Sequence, residues 1–409
     1  MRVIELQRLE NKVVLIGAIT FDTLKDRLKF TERQEESRDP YSPDATEENS
    51  EVNSKYYQRF TQEKRVREIS RFIENTFLEQ GTSQSSIKTI FPSSMILAFD
   101  YSDSISEKEI DFLDLKYLDE QGLIVDGQHR FAAMMSLQDK HERILEGNDE
   151  KLKKISEKIL TQIKAYKFNC TVLLNFDLWD QAQLFANVNF NQKQVNKSLY
   201  YDIFGSIPPD SNDSRKNQIY LAHDLAKYLN HSDKSPLKGF IKMLGTGNGF
   251  FSQAMFVESI MVHFRKRGVW SNIEEDFRNE GIIVKSLPRI FIGYFNALKS
   301  TFTEQWPKAV DEKYDSILCK TTGIGATVRL LGYLYKLLSD GTYPGKEQLN
   351  FQNKSLSEVQ QVFESIFVPI TNKGDQLFGG TSEYAGAGSA GLQSKLYKQL
   401  LMELGLDDK

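Results

Sequence analysis

Asp126-Gly127-Gln128-His129-Arg130, inside LIVDGQHRFAAM (123–134), is the stretch whose residue types and spacing could do chemistry. Leu123, Ile124 and Val125 suit a buried strand, Gly127 suits a tight turn, and Phe131, Met134 and Met135 recur at helical spacing. The polar residues therefore stand at a strand-to-helix junction. The first turn of a helix offers unpaired N–H groups and the positive end of the helix dipole, a setting that suits phosphate. Arg130 could fork onto phosphate oxygens, and His129 could donate to them. Asp126 is an anion, so its roles would be to hold Mg²⁺, to orient His129 or Arg130, or to take a proton from a nucleophile. The same residues also read as a plain helix start, with Asp126 capping, Gly127 turning and Arg130 in a surface salt bridge. On spacing alone the two readings are about even. Three hydrogen-bonding side chains directly after a buried strand tilt the balance slightly towards a site.

The elements that must position this loop follow from periodicity. NKVVLIGAIT (11–20) reads as a buried strand and FDTLKDRLKF (21–30) as a short amphipathic helix. Residues 31 to 55 are polar, acid-rich and poor in aliphatics, the pattern of a long loop or an insertion that orders only against something else. Thr61, Lys64 and Arg65 open a helix whose apolar face is Val66, Ile69, Phe72 and Ile73. Pro92 fixes the start of a strand over Met95 to Phe99. Residues 139–168 alternate charges on a helical period, as a solvated helix face does; NCTVLLNFD (169–177) is another strand, and a helix runs through Leu184 and Phe185 before the chain turns rich in Asn. From Ile207-Pro208-Pro209 onward helical patterns dominate, which sets a domain boundary near Ser206, with domains 1–206 and 207–409.

The whole chain, 409 residues with a net charge of −4, has no global pull towards nucleic acid or acidic membranes. A DNA contact needs a local basic patch. The dense basic runs are KLKK (151–154) and FRKRG (264–268), and solvated helix surface is the commoner meaning of each. Arg265, Lys266 and Arg267 are the DNA-binding candidates. Cys170 and Cys319 lie far apart without a CxxC pattern, so neither a disulfide framework nor a zinc site is legible. The charged start lacks the apolar run of a signal peptide and no segment is long enough to span a bilayer, which makes the cytoplasm the expected location and leaves no membrane partner. The Gly-rich stretches at 245–253 and 379–391 read as a hinge and a flexible loop.

Asp126 to Arg130 resemble the signature of the DGQHR-domain family, which includes DndB-like proteins of DNA phosphorothioate-modification systems and DpdB-like proteins of deazapurine-modification systems. That family resembles, more distantly, the ParB and sulfiredoxin fold, whose phosphate loop has a Gly-x-x-Arg core matched by Gly127 and Arg130. The likeness runs over roughly residues 55 to 200 and takes in Gln58-Arg59, the following helix, the Pro92-led strand, the loop and Asn187 in FANVNFNQ. It implies an α+β chain: an N-terminal ParB/sulfiredoxin-like mixed sheet with helices, then a mainly helical C-terminal domain. It also implies ATP or another nucleotide held by Gln58, Arg59, Gly127, Gln128, His129, Arg130, Asn187 and Asn189, with Asp126, His129 and Arg130 catalytic and Asp126 and Asn187 on Mg²⁺. Position 186 is Ala where ParB proteins carry an acidic residue before that Asn, which weakens the metal role. The three Asn residues 187, 189 and 191 are about as readily capping residues at a helix end.

Two functions follow from the resemblance. The first is a Mg²⁺-dependent ATP hydrolase or phosphoryl-transfer switch of a DNA-modification or phage-defence system, with a nucleotide, DNA and other subunits of the system as partners. The second is a DndB-like DNA-binding transcriptional regulator without turnover. The sequence favours the first modestly, and a Gln at position 128 excludes a sulfiredoxin-type reductase, which needs a Cys in the loop.

Overall fold

A computed structural model of the chain describes residues 2–29, 63–79, 91, 93–101, 110–115, 118, 122–190, 197–207, 213–245, 248–279, 281–308, 315–386 and 388–406. Gln58, Arg59 and the acid-rich stretch 31–55 lie outside the described residues. The chain is α+β. The described residues before Val195 form one compact unit and those from Val195 onward another. Helix Lys197–Gly205, which precedes Ser206 in the chain, packs within the second unit.

The first unit is built on a six-stranded mixed sheet in the order β1-β2-β6-β4-β5-β3: β1 (Val3–Leu9), β2 (Lys12–Thr20), β3 (Leu28–Lys29), β4 (Met95–Phe99), β5 (Gly122–Asp126) and β6 (Lys167–Leu174). β2 shows why the sequence folds this way: Val13, Leu15 and Ile19 are buried at the two-residue period of a pleated strand, facing one side. β4 runs parallel to β6 and antiparallel to β5, and a bulge separates Ile96 from Leu97. Gly122 starts β5 because the Phe99 ring lies where a side chain would go, with its Cε1 2.2 Å from an ideal Cβ.

Helices cover the core face: α1 (Phe21–Arg27), α2 (Glu63–Glu79), α3 (Gln128–Leu145) and α4 (Glu150–Ala165). α4 is more than a solvated face, since Ile159, Leu160 and Ile163 join the core under the sheet. A buried polar tie links three of these helices. His141 on α3 lies 2.9 Å from Ser156 Oγ on α4 and 3.2 Å from Glu74 Oε1 on α2, and Lys140 donates to Glu74 at 2.7 Å. Burial holds the His141 pKa below the usual histidine value, with Glu74 opposing. α5 (Leu178–Phe190) runs beyond Phe185 and packs on β5.

The second unit is mainly helical: α6 (Lys197–Gly205), α7 (Ser214–His231), α8 (Gln253–Phe264), α9 (Ile273–Arg278), α10 (Ile282–Thr301), α11 (Thr321–Ser339), α12 (Leu356–Phe367), α13 (Gly374–Phe378) and α14 (Ala390–Glu403). A two-residue parallel pair joins β7 (Ile241–Lys242), just before the first Gly-rich stretch, to β8 (Phe251–Ser252) within it. Its core is aromatic, with Trp270, Tyr294, Phe291, Phe295 and Phe302 almost wholly buried. Leu244 sits at φ 54°, and its N–H donates to the buried Gln253 Oε1 at 2.9 Å. Gln253 Nε2 in turn lies 2.9 Å from His223 Nδ1. Both cysteines are buried, and burial pushes the Cys170 thiol up to about 12. No helix among the described residues is long and apolar enough to cross a membrane.

Candidate functional site

The strand–turn–helix junction forms as its local sequence requires. β5 ends at Asp126, Gly127 adopts φ 105°, and α3 begins at Gln128. That φ favours glycine. Gly127 occupies the cap position and has no side chain with which to close the helix end. Its carbonyl accepts the N–H groups of Arg130 (2.9 Å) and Phe131 (3.1 Å). The N–H of Gln128 has no partner among the described residues.

The side chains are less exposed than a freely accessible phosphate loop would have them. Gln128 is 2 % exposed and His129 8 %. Gln128 Nε2 is buried without a hydrogen-bond partner among the described residues. Such a group costs roughly 1–3 kcal/mol unless something answers it. The Arg130 guanidinium is turned inward and across the sheet. Nη1 donates to the Ser93 carbonyl, Nη2 donates to the Ser94 carbonyl at 2.9 Å, and Nη2 stands 3.6 Å from Asp126 Oδ2. The guanidinium therefore fastens the segment entering β4 to the start of α3. Burial lowers its pKa from the usual guanidinium value, Asp126 opposes that, and the charge of nearby Arg65 on α2 adds to the lowering. The plain reading has Asp126 capping the helix and Arg130 in a surface salt bridge; the cap position falls to Gly127 with no side-chain cap, and Arg130 pairs with Asp126 itself, mostly buried and not on the surface.

The structure thus brings Asp126, Gly127, Gln128, His129 and Arg130 together on one junction. Asn187 and Asn189 belong to α5, which packs on β5, but their side chains are outside what is described, as are Gln58 and Arg59. Among the described residues no group of three or more His, Cys, Asp or Glu side chains could hold a metal ion. Of the proposed Mg²⁺ ligands, Asp126 is shared with Arg130. The described junction fits the oxygens of an anion better than it fits a divalent cation. Arg65 was legible only as a helix-opening residue. Its nearness to Arg130 is a product of α2 packing on α3.

In the second unit, α8 ends at Phe264 and the backbone turns at Arg265, which is extended at φ −69° and ψ 163°. The Gly268 N–H returns to the Arg265 carbonyl at 2.6 Å, and the Trp270 N–H donates to the His263 carbonyl at 2.9 Å. A Cβ on Gly268 would lie 2.2 Å from the His263 carbonyl oxygen, so this close approach admits only glycine. Arg265, Lys266 and Arg267 project from this fixed turn and are all exposed. Beneath them His263 is buried, with Nε2 3.1 Å from the Val328 carbonyl, and burial drives its pKa down to about 4. It is neutral at pH 7 and adds no charge to the turn.

No curated protein and no solved structure matches the chain, so the likeness to the ParB and sulfiredoxin fold rests on the motif and element order. A family model does match. The DndB model, described as DNA-sulfur modification-associated, covers residues 41–360, which spans the Gly127 junction, the Arg265–Arg267 turn and α11. The chain belongs to the DndB family of DNA-sulfur modification-associated proteins.

Proposed function

We propose that this protein is a DNA-binding regulator of a DNA-sulfur modification system and that it meets the duplex backbone with the turn carrying Arg265, Lys266 and Arg267. One observation carries the reading: these three consecutive cations are exposed and have no carboxylate partner among the described residues. Cations not neutralised within their own fold are free to replace the counterions condensed on DNA, each contact contributing about 0.9 to the slope of log affinity against log salt. Phosphate contacts of this kind position a protein on DNA. The triple variant Arg265→Gln/Lys266→Gln/Arg267→Gln should bind duplex DNA more weakly, with a salt slope shallower by about 2.7. Titrations at several salt concentrations measure this. A slope and affinity equal to wild type, or a wild-type protein that does not bind duplex DNA, would remove the reading.

A nucleotide at the Gly127 junction is the second reading, and Gln128 favours it: a buried amide without a partner, next to an open helix N–H and close to the cation of Arg65. Binding has more support than turnover, because the guanidinium and carboxylate cast as catalytic are bound to each other and to Ser93 and Ser94. At a hundredfold excess over Kd, ATP would stabilise the protein by about 2.7 kcal/mol and raise its melting temperature by several degrees. Gln128→Leu should lose that rise. Equal rises in both proteins, or none in wild type, would count against a nucleotide here.

A further inference from the structure

We infer that the DNA-contacting surface continues from the Arg265–Arg267 turn across α11 to α14, as a strip whose further contacts are Arg329, Lys336 and Lys398. This rests on the DNA-binding reading above and gives that reading a footprint. Packing puts the three elements side by side. α11 contacts α8 and also contacts α14. The α8 side is fixed by His263 on the Val328 carbonyl, and by Gly332, where a Cβ would fall 2.1 Å from the His263 ring. On the α14 side, Arg329 Nη1 donates to Ser394 Oγ at 2.9 Å and the guanidinium lies 4.9 Å from the centre of the Tyr397 ring.

The charge of this strip is opposite to that of the chain. α8 with its turn, α11 and α14 hold seven Lys or Arg side chains and two carboxylates, in a protein of net charge −4. Both carboxylates are already answered from elsewhere, Glu258 by Lys197 at 3.2 Å and Glu403 by Lys373. α11 has no carboxylate at all. None of the seven cations has a carboxylate partner among the described residues.

Spacing decides what kind of anion fits. Arg329 and Lys336 share one face of α11, and the helical rise separates them by about 10 Å along its axis. They cannot converge on one phosphate, whereas a duplex, with a charge every ~1.7 Å of axis, offers partners to both. The Arg329 guanidinium covers one face of the Tyr397 ring, so that face cannot stack on an unpaired base. Cations spaced along the helix, with no carboxylate partner among the described residues, favour the regular backbone of double-stranded DNA over a single compact anion.

Lys336 and Lys398 are exposed and make no ion pair among the described residues, so the full-length chain should tolerate their replacement. Lys336→Gln/Lys398→Gln should keep the wild-type melting temperature while its salt slope for duplex DNA becomes shallower by about 1.8. Lys336→Glu/Lys398→Glu should weaken binding further at every salt concentration. If both double variants bind as wild type does while the 265–267 triple variant loses affinity, the strip is wrong and the regulator reading stands. If wild type binds no duplex, the regulator reading fails first and takes the strip with it. Phosphatidylserine vesicles form the last arm: binding to vesicles that the double variants abolish, with duplex binding unaffected, would make this a membrane surface and overturn the inference.

Discussion

Arg130→Met is expected to destabilise the first unit by about 2–5 kcal/mol, the usual cost of removing one partner from a buried charged network. The Arg130 side chain is 11 % exposed. Without it the carbonyls of Ser93 and Ser94 lose their donors, and Asp126 is left partly buried with no counter-charge. Arg130→Lys keeps the charge, but a single ammonium cannot reproduce the planar fork that meets two carbonyls and a carboxylate, so an intermediate loss is expected. Urea denaturation monitored by circular dichroism measures both variants. Stability within about 0.5 kcal/mol of wild type for Arg130→Met would show that the guanidinium is not a structural clamp. If the loss is seen, failure of an Arg130 variant to bind or turn over a nucleotide is no sign of a phosphate contact, and Gln128 becomes the informative position.

Gly127→Ala should cost about as much, for two separate reasons. Gly127 has φ 105°, where an L side chain is strained by roughly 1–3 kcal/mol. A Cβ there would also lie 2.7 Å from Met95 Cγ and 3.0 Å from Arg130 Nη2, so either the β4 side chain or the clamp must move. Overpacking of that kind adds about 1–3 kcal/mol. Gly345 separates the two causes, because its φ is 70° and nothing lies within 4 Å of an added Cβ. Gly345→Ala therefore carries the backbone cost alone. Equal destabilisation by the two substitutions would show that the contact with Met95 is unimportant.

Much of this junction was legible because its causes are local. A β-branched run, a glycine with positive φ and an apolar helical repeat all lie within 123–134, and β5, the turn and α3 fall where that pattern puts them. β2, α1, α2 and β4 were read from periodicity in the same way. β1 was not: only its first residue is buried, because it is an edge strand whose outer side chains, Ile4 and Leu6, are exposed. α4 read as solvated because its charges dominate its composition, while the few apolar residues that enter the core are decided by what they pack against. Lys336 and Lys398 gave no signal, being single exposed cations on separate helices that only folding packs together.

By itself the sequence determined the class of the chain, the strand–glycine–helix turn at Gly127 and the basic triplet at 265–267, since each depends on backbone preferences and side-chain types within a few residues. It could not determine where Arg130 points. Its partners, Ser93 and Ser94, lie 37 and 36 residues upstream, and they meet the guanidinium because β4 pairs with β5. Tertiary structure likewise decided that Gln128 is buried without a partner and that the two carboxylates of the basic strip are neutralised by lysines outside it. Electrostatic and hydrogen-bonding partnership depends on distance in space, and a pattern of residue types along the chain fixes that distance only where the partners are neighbours in sequence.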